Sequence, residues 1–333
     1  MTAKKKPLRA AASSASKKKT KSASSSKRAA KPKARSLVKP LPEPARLQAA
    51  LRDSIEHDIA GRFAAHQREV ALIEARVRRG DQQPPLMLLA HGDSWFNYPL
   101  KGNSVELPPR DTDIIAHLKK MGNPRPKILN ISHYGDATTD EMGLAKQKRL
   151  IAALSNSKNW LSGKPDGILF SGGGNDIAGD PFIIYLDYKD SSSNGLDTER
   201  FAGRLASIKA SYLDLFLLRT RYAPHVPIFG HGYDWAHPME PHPPCTGPWM
   251  WPSIKFTQWN VDEGTKIIHD ALEQFAGMLS KLEAAGYEFT VVPTQGTLAK
   301  DDWANELHPY PDGFRKLAQA FLTSLQRHFP GRI

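Results

Sequence analysis

From Pro85 onward, short apolar runs that stop at Gly, Asp or Asn alternate with longer stretches of helical periodicity, and this rhythm constrains the fold of the 333-residue chain most strongly. The runs are Leu86–Leu89, Ile128–Ile131, Gly167–Phe170, Val226–Phe229 and Phe289–Val292. Each is too short for a helix and too continuously apolar for a half-solvated strand, so each reads as a strand buried on both faces. The stretches between them, notably Asp140–Leu154, Arg200–Leu218, Glu263–Ala285 and Phe314–His328, carry apolar residues three and four apart. Strands that alternate with helices pair in parallel and are covered on both faces. Residues 81–333 are therefore expected to form an α/β domain: three-layer α/β/α, with a flavodoxin-like, doubly wound, five-stranded parallel sheet.

Upstream, Leu47, Leu51, Ile55, Ile59, Phe63, Val70, Ile73 and Val77 recur at helical spacing until Gly80. This predicts an amphipathic helix within residues 41–80, packing on the core. Residues 1–36 differ in kind, holding 13 Lys and Arg and no acid. The formal net charge is +12, so the basic character belongs to this tail and the remainder is close to neutral. Lys, Ala, Ser and Pro with almost no large apolar side chain cannot offset the entropy of ordering, and residues 1–40 are expected to be disordered. Such a tail either contacts nucleic acid or an anionic surface by releasing counterions, or merely solubilises the chain. No apolar run of secretory or membrane-spanning length is found, and the single cysteine, Cys245, has no partner for an internal disulfide. The expectation is a cytoplasmic protein without a transmembrane segment.

In a parallel sheet, ligands bind where loops leave the carboxyl ends of the strands. The first run is followed by His91-Gly92-Asp93-Ser94-Trp95-Phe96, the second by Ser132-His133-Tyr134-Gly135-Asp136, and the third by Ser171-Gly172-Gly173-Gly174-Asn175-Asp176. The last helix is preceded by Trp303-Ala304-Asn305-Glu306-Leu307-His308-Pro309. Acyl transfer needs a hydroxyl nucleophile, an imidazole that takes its proton and donors aimed where the oxyanion forms. Ser94 offers the hydroxyl and His308 the imidazole. The N–H groups of Ser94 and Gly135 and the side-chain amide of Asn175 offer the donors.

Singly these fragments are commonplace. In this order, Gly92-Asp93-Ser94, Gly135, Gly173-Gly174-Asn175-Asp176 and His308-Pro309 resemble the four conserved blocks of the SGNH, or GDSL, hydrolases, from about Leu86 to Phe314. The resemblance implies hydrolysis of an ester (a lipid, an acetylated sugar or a small carboxylic ester) without metal or organic cofactor. It also implies Ser94 as nucleophile, His308 as base, and an oxyanion hole from Ser94, Gly135 and Asn175; beside these, Asp93 and Asn305 are supporting candidates, since an amide can orient an imidazole although it cannot stabilise the imidazolium by charge. One position departs: the family places Asp three residues before the catalytic His, where this chain has Asn305. Asp301 or Asp302 one turn earlier can supply the carboxylate, with Asp302 favoured, or a backbone carbonyl can orient a working dyad. The third outcome is a slow or inactive hydrolase fold serving as a binding protein, targeted by its basic tail to nucleic acid or an anionic surface.

Simpler readings compete. Ser94 can be a helix N-cap. The run Gly172–Gly174 can cradle phosphate, although a dinucleotide fingerprint needs Gly where Ile177 stands. His133, His231, Asp234, His237 and His242 match no common ligand spacing and read as ordinary surface or pocket residues. The Pro- and Trp-rich segment Trp235–Trp259 reads as a rigid aromatic flap, either anchored on the core or walling an acyl or aryl group. The polar stretch Lys189–Asp197 reads as a mobile loop. A nucleophile Ser flanked by two glycines, as in the α/β-hydrolases, is absent at Ser94.

Overall fold

The structure, a computed structural model, describes residues 43–100, 110–189, 192, 194–240 and 247–333. The basic tail, His242 and Cys245 lie outside the described residues. By compactness the chain divides into residues 1–49 and 50–333. In the first unit the described residues are the opening turns of helix α1 (Glu43–Arg78). The remainder of α1 and every other described element belong to the second.

Among the described residues five strands form one parallel sheet: β1 (Met87–Gly92), β2 (Lys127–Asn130), β3 (Gly167–Ser171), β4 (Ile228–His231) and β5 (Phe289–Val292). Their order is β2-β1-β3-β4-β5, the doubly wound, flavodoxin-like order expected. Central β1 pairs on both sides, Leu88 matching Ile128 on β2 and Gly167 on β3. Every residue of β1, β3 and β4 is buried, which is why these strands appear in the sequence as unbroken apolar runs. Strand β4 begins two residues into its apolar run, at Ile228, because Pro227 has no N–H to give a ladder.

The connecting helices are α2 (Ile114–Leu118), α3 (Thr138–Glu141), α4 (Leu144–Ser155), α5 (Gly174–Ile177), α6 (Thr198–Tyr222), α7 (Trp251–Phe256), α8 (Val261–Ala284) and α9 (Pro311–His328). The single helix expected over 140–154 is two, divided at Gly143, whose extended backbone (φ −70°, ψ 154°) caps α4. Helix α2 packs on α9, and α6 packs on α3, α4 and α8. Right-handed crossovers put these two groups on opposite faces of the sheet. Phe170 and Phe229 from the strands, and Tyr212, Phe275, Phe314 and Phe321 from the helices on the two faces, are fully buried. Each such ring contributes about 1.5–3 kcal/mol by leaving water.

Along α1, Leu51 is exposed, whereas Ile59, Val70 and Ile73 are buried. Arg62 donates to the carbonyls of Asn130 (3.4 Å) and Ser132 (3.1 Å), so the part of α1 that belongs to the second unit lies along the β2 edge and satisfies polar groups that an edge leaves open. No helix among the described residues is long and apolar enough to cross a membrane.

Candidate active site

Strand β1 ends where its backbone is pressed against β3. Gly92 has φ +150°, and a Cβ there would stand 2.3 Å from the Ser171 carbonyl oxygen. The next N–H, of Asp93, donates to that same carbonyl at 3.0 Å. The Asp93 carbonyl then accepts from the N–H groups of Phe96 and Asn97, closing a tight turn that presents Ser94 at the carboxyl edge of the sheet. Gly92→Ala should lower stability by about 2–3 kcal/mol, because the Cβ meets unyielding backbone at a strained φ. The control is Gly203→Ala in α6, where nothing stands within 4 Å of the added Cβ. It should be neutral or stabilising by about 0.5–1 kcal/mol, and denaturant unfolding of the two variants distinguishes them.

Asp93 lies buried under this turn. Its carboxylate accepts from the Trp95 N–H (3.0 Å), the Ser171 hydroxyl (2.7 Å) and the Tyr233 hydroxyl (2.5 Å). Burial pushes its pKa up to about 6 against the pull of these donors. Behind it, His231 Nε2 donates to Ser171 Oγ (2.9 Å) and its Nδ1 accepts the Tyr233 N–H (3.2 Å). Burial lowers the His231 pKa to about 3, so this imidazole is neutral scaffolding.

The Ser94 hydroxyl donates to His308 Nε2 at 2.7 Å. On the other side of the ring, His308 Nδ1 lies 3.2 Å from Asn305 Oδ1. That same oxygen accepts the N–H groups of Leu307 (3.0 Å) and His308 (2.9 Å). Two backbone donors converging on one atom require it to be an oxygen, so the amide cannot be flipped. Nδ1 must then carry the proton, and the Nε2 lone pair faces Ser94. Asn305 therefore sets the tautomer that a general base needs, without lending a negative charge. Burial lowers the His308 pKa to about 3. The Tyr98 ring lies over the imidazole with centroids 4.2 Å apart, placing a π face where an imidazolium would form. Trp249 meets it edge-on at 5.7 Å.

Asp302 does not reach His308, contrary to the sequence expectation. Its carboxylate accepts the Ala299 N–H (2.8 Å), capping a short 3₁₀ turn, and is paired with Lys316 Nζ of α9 (2.8 and 2.6 Å). The loop between them closes on itself, with the Ala304 and Asn305 N–H groups both donating to the His308 carbonyl. The loop therefore turns His308 toward its own Asn305, while Asp302 faces α9.

Asn175 sits in α5, where Gly173 and Gly174 let the backbone pass against the Phe275 and Tyr233 rings. One amide N–H donates to the Asp136 carbonyl at 2.9 Å, which ties Asn175 to the loop after β2; the second can be offered to a ligand. Gly135 occupies that loop with φ +79°. Ser94, Asn175 and His308 line one pocket, with Gly174, Tyr233, Met250, Ile268 and Leu272. Gly135 lies outside that lining, and of the flap's Trp235, Trp249, Trp251 and Trp259 none contributes to it. The residues weighed as metal ligands are engaged separately: His133 stacks on Tyr134, His237 packs on Trp303, and Asp234 accepts the Trp235, Gly296 and Leu298 N–H groups.

Sequence reasoning passes over Glu306, a buried carboxylate that accepts four backbone N–H groups from the flap. The one signal was an acid between Asn305 and Leu307 in the loop from Trp303 to Pro309.

A parallel sheet of this order, with a Ser–His pair joining the loop after β1 to the loop before α9, is the architecture that the SGNH-type resemblance leads one to expect. The chain is similar to a lipase from a goat rumen metagenome, at 15% identity over 72% of this chain and 97% of that one, with a TM-score of 0.49. It is also similar to an extracellular lipase from Streptomyces rimosus (18% identity, 72% and 99%, TM-score 0.46). A third such structure is phospholipase A1 from Streptomyces albidoflavus (15% identity, 72% and 99%, TM-score 0.44). No family profile and no curated protein matches the sequence.

Proposed function

We propose that the protein is a serine hydrolase cleaving carboxylic esters through an acyl-enzyme. The observation that carries this reading is the 2.7 Å bond from the Ser94 hydroxyl to an Nε2 whose lone pair is fixed by Asn305. Ser94 Oγ passes its proton to His308 Nε2 and attacks the ester carbonyl. The oxyanion meets the N–H groups of Ser94 and Gly135 and the second amide N–H of Asn175. His308 then protonates the leaving alcohol, and water, deprotonated by the same nitrogen, releases the acid.

The test is turnover of p-nitrophenyl esters together with covalent labelling by a fluorophosphonate, the label located by peptide mass spectrometry. One label per chain on Ser94 is the expected result. A folded protein that neither turns over esters nor takes the label defeats the reading, and favours the alternative of an inactive hydrolase fold held to nucleic acid or an anionic surface by its tail. What supports that alternative is the uncharged partner of His308 together with the 13 cationic residues among the first 36.

A further inference from the structure

The cavity against Ser94, Asn175 and His308 has a volume of about 40 Å³. Its inner wall is Ile177, Ala236, Met250, Ile268 and Leu272, every one of them buried. These side chains come from α5, the loop after β4, the residue before α7, and α8. The wall is apolar and offers an acyl tail no hydrogen bond. A water-sized group needs about 10–15 Å³ on this measure, so the cavity holds roughly three. That is room for the tail of an acetyl to butyryl group. An octanoyl tail outgrows this enclosed part and must either run out along the pocket's open side, losing apolar contact, or displace packed side chains, which close-packed interiors resist.

Met250 is the wall residue best able to yield, since a thioether chain repacks readily. Its backbone, however, is held. Glu306 Oε2 accepts the N–H groups of Trp249 and Met250 (2.8 Å for Met250), and Oε1 accepts those of Met239 (3.0 Å) and Trp251 (2.8 Å). Both ends of the segment running from Met239 to Trp251 are thus fastened to one carboxylate in the loop that carries His308, and Glu306 is itself 1% exposed. Charge-assisted bonds of this kind are about twice as strong as neutral ones.

We infer that the site takes short acyl groups of about two to four carbons, and that Glu306 is the positioning residue that keeps Met250 closing the pocket. This rests on the ester-hydrolase reading of Ser94. The experiment measures kcat/KM for p-nitrophenyl acetate, butyrate, octanoate and palmitate on the full chain and on Met250→Ala and Glu306→Gln. The wild type should prefer butyrate over octanoate by about 10- to 100-fold. Met250→Ala should raise the octanoate-to-butyrate ratio about tenfold. Glu306→Gln should move that ratio in the same direction, because a neutral amide cannot accept all four N–H groups; a purely structural loss would depress every ester in proportion and leave the ratio alone. If Glu306→Gln does not fold, Met250→Ala decides. Wild-type turnover that depends on Ser94 but is equal or faster with octanoate overturns the inference alone, as does an unmoved ratio in Met250→Ala. Absence of Ser94-dependent turnover on all four esters overturns the hydrolase reading beneath it.

Discussion

Ser94→Ala is expected to lower kcat for p-nitrophenyl ester hydrolysis by about 10⁵- to 10⁶-fold, and His308→Ala by a similar factor. The two side chains act as one unit, since the imidazole has nothing to deprotonate without the hydroxyl, and the hydroxyl stays protonated without the imidazole. The double variant should therefore be no slower than either single one, and a residual rate of about 10³–10⁴ over water should persist from the oxyanion donors and binding. Single-turnover kinetics on the three variants checks this. Independent, multiplying losses would mean that the 2.7 Å contact is not the reactive pair. Neither substitution should disturb the core, because Ser94 and His308 sit on loops at the sheet's edge while the packing lies below them.

The sheet was legible because burial on both faces leaves a continuous apolar run, and all five runs become strands. The helix boundaries were less so: α3 and α4 share one periodic pattern, and only Gly143 divides them. Ser94 and His308, 214 residues apart, meet because the doubly wound order brings the last loop back over β1, and the ordered sequence blocks anticipated that meeting. Asp302 was misplaced by reasoning on distance along the chain, since Lys316 on α9 claims its carboxylate. Asn305 was legible as an amide able to orient the imidazole, but not the way its oxygen is fixed, and the role of Glu306 was illegible for a related reason: each is defined by the backbone N–H groups that converge on it. Sequence patterns record side chains, and these donors belong to the main chain. The four flap tryptophans drew attention by type, yet the pocket wall falls to Met250 between two of them.

Asn305→Asp should raise kcat by about 10- to 100-fold, the effect opposite to that of most active-site changes. In a triad the reverse change costs about 10⁴-fold, largely because the amide presents the wrong atom and the imidazole takes the wrong tautomer. Here the Leu307 and His308 N–H groups already force Oδ1 toward Nδ1, so that part of the loss has been avoided. What Asn305 lacks is charge. An opposite charge at this range raises a histidine pKa by about 1 to 3 units, each worth about 1.36 kcal/mol, and a proton partly transferred in the transition state realises a fraction of it. The pH dependence has a definite sign. His308 is depressed to about 3 by burial, so the base stays neutral from pH 8 to about 5 and puts no limb of its own on the wild-type kcat/KM there; a limb near 6 would belong to Asp93 under the Ser94 turn. The carboxylate of Asn305→Asp stabilises the imidazolium, raises that pKa and shifts the acid limb upward by about 1 to 3 pH units. A gain in kcat without movement of the acid limb would assign the effect to geometry. No gain, with the limb shifted, would mean that the Tyr98 face already supplies the stabilisation the imidazolium needs.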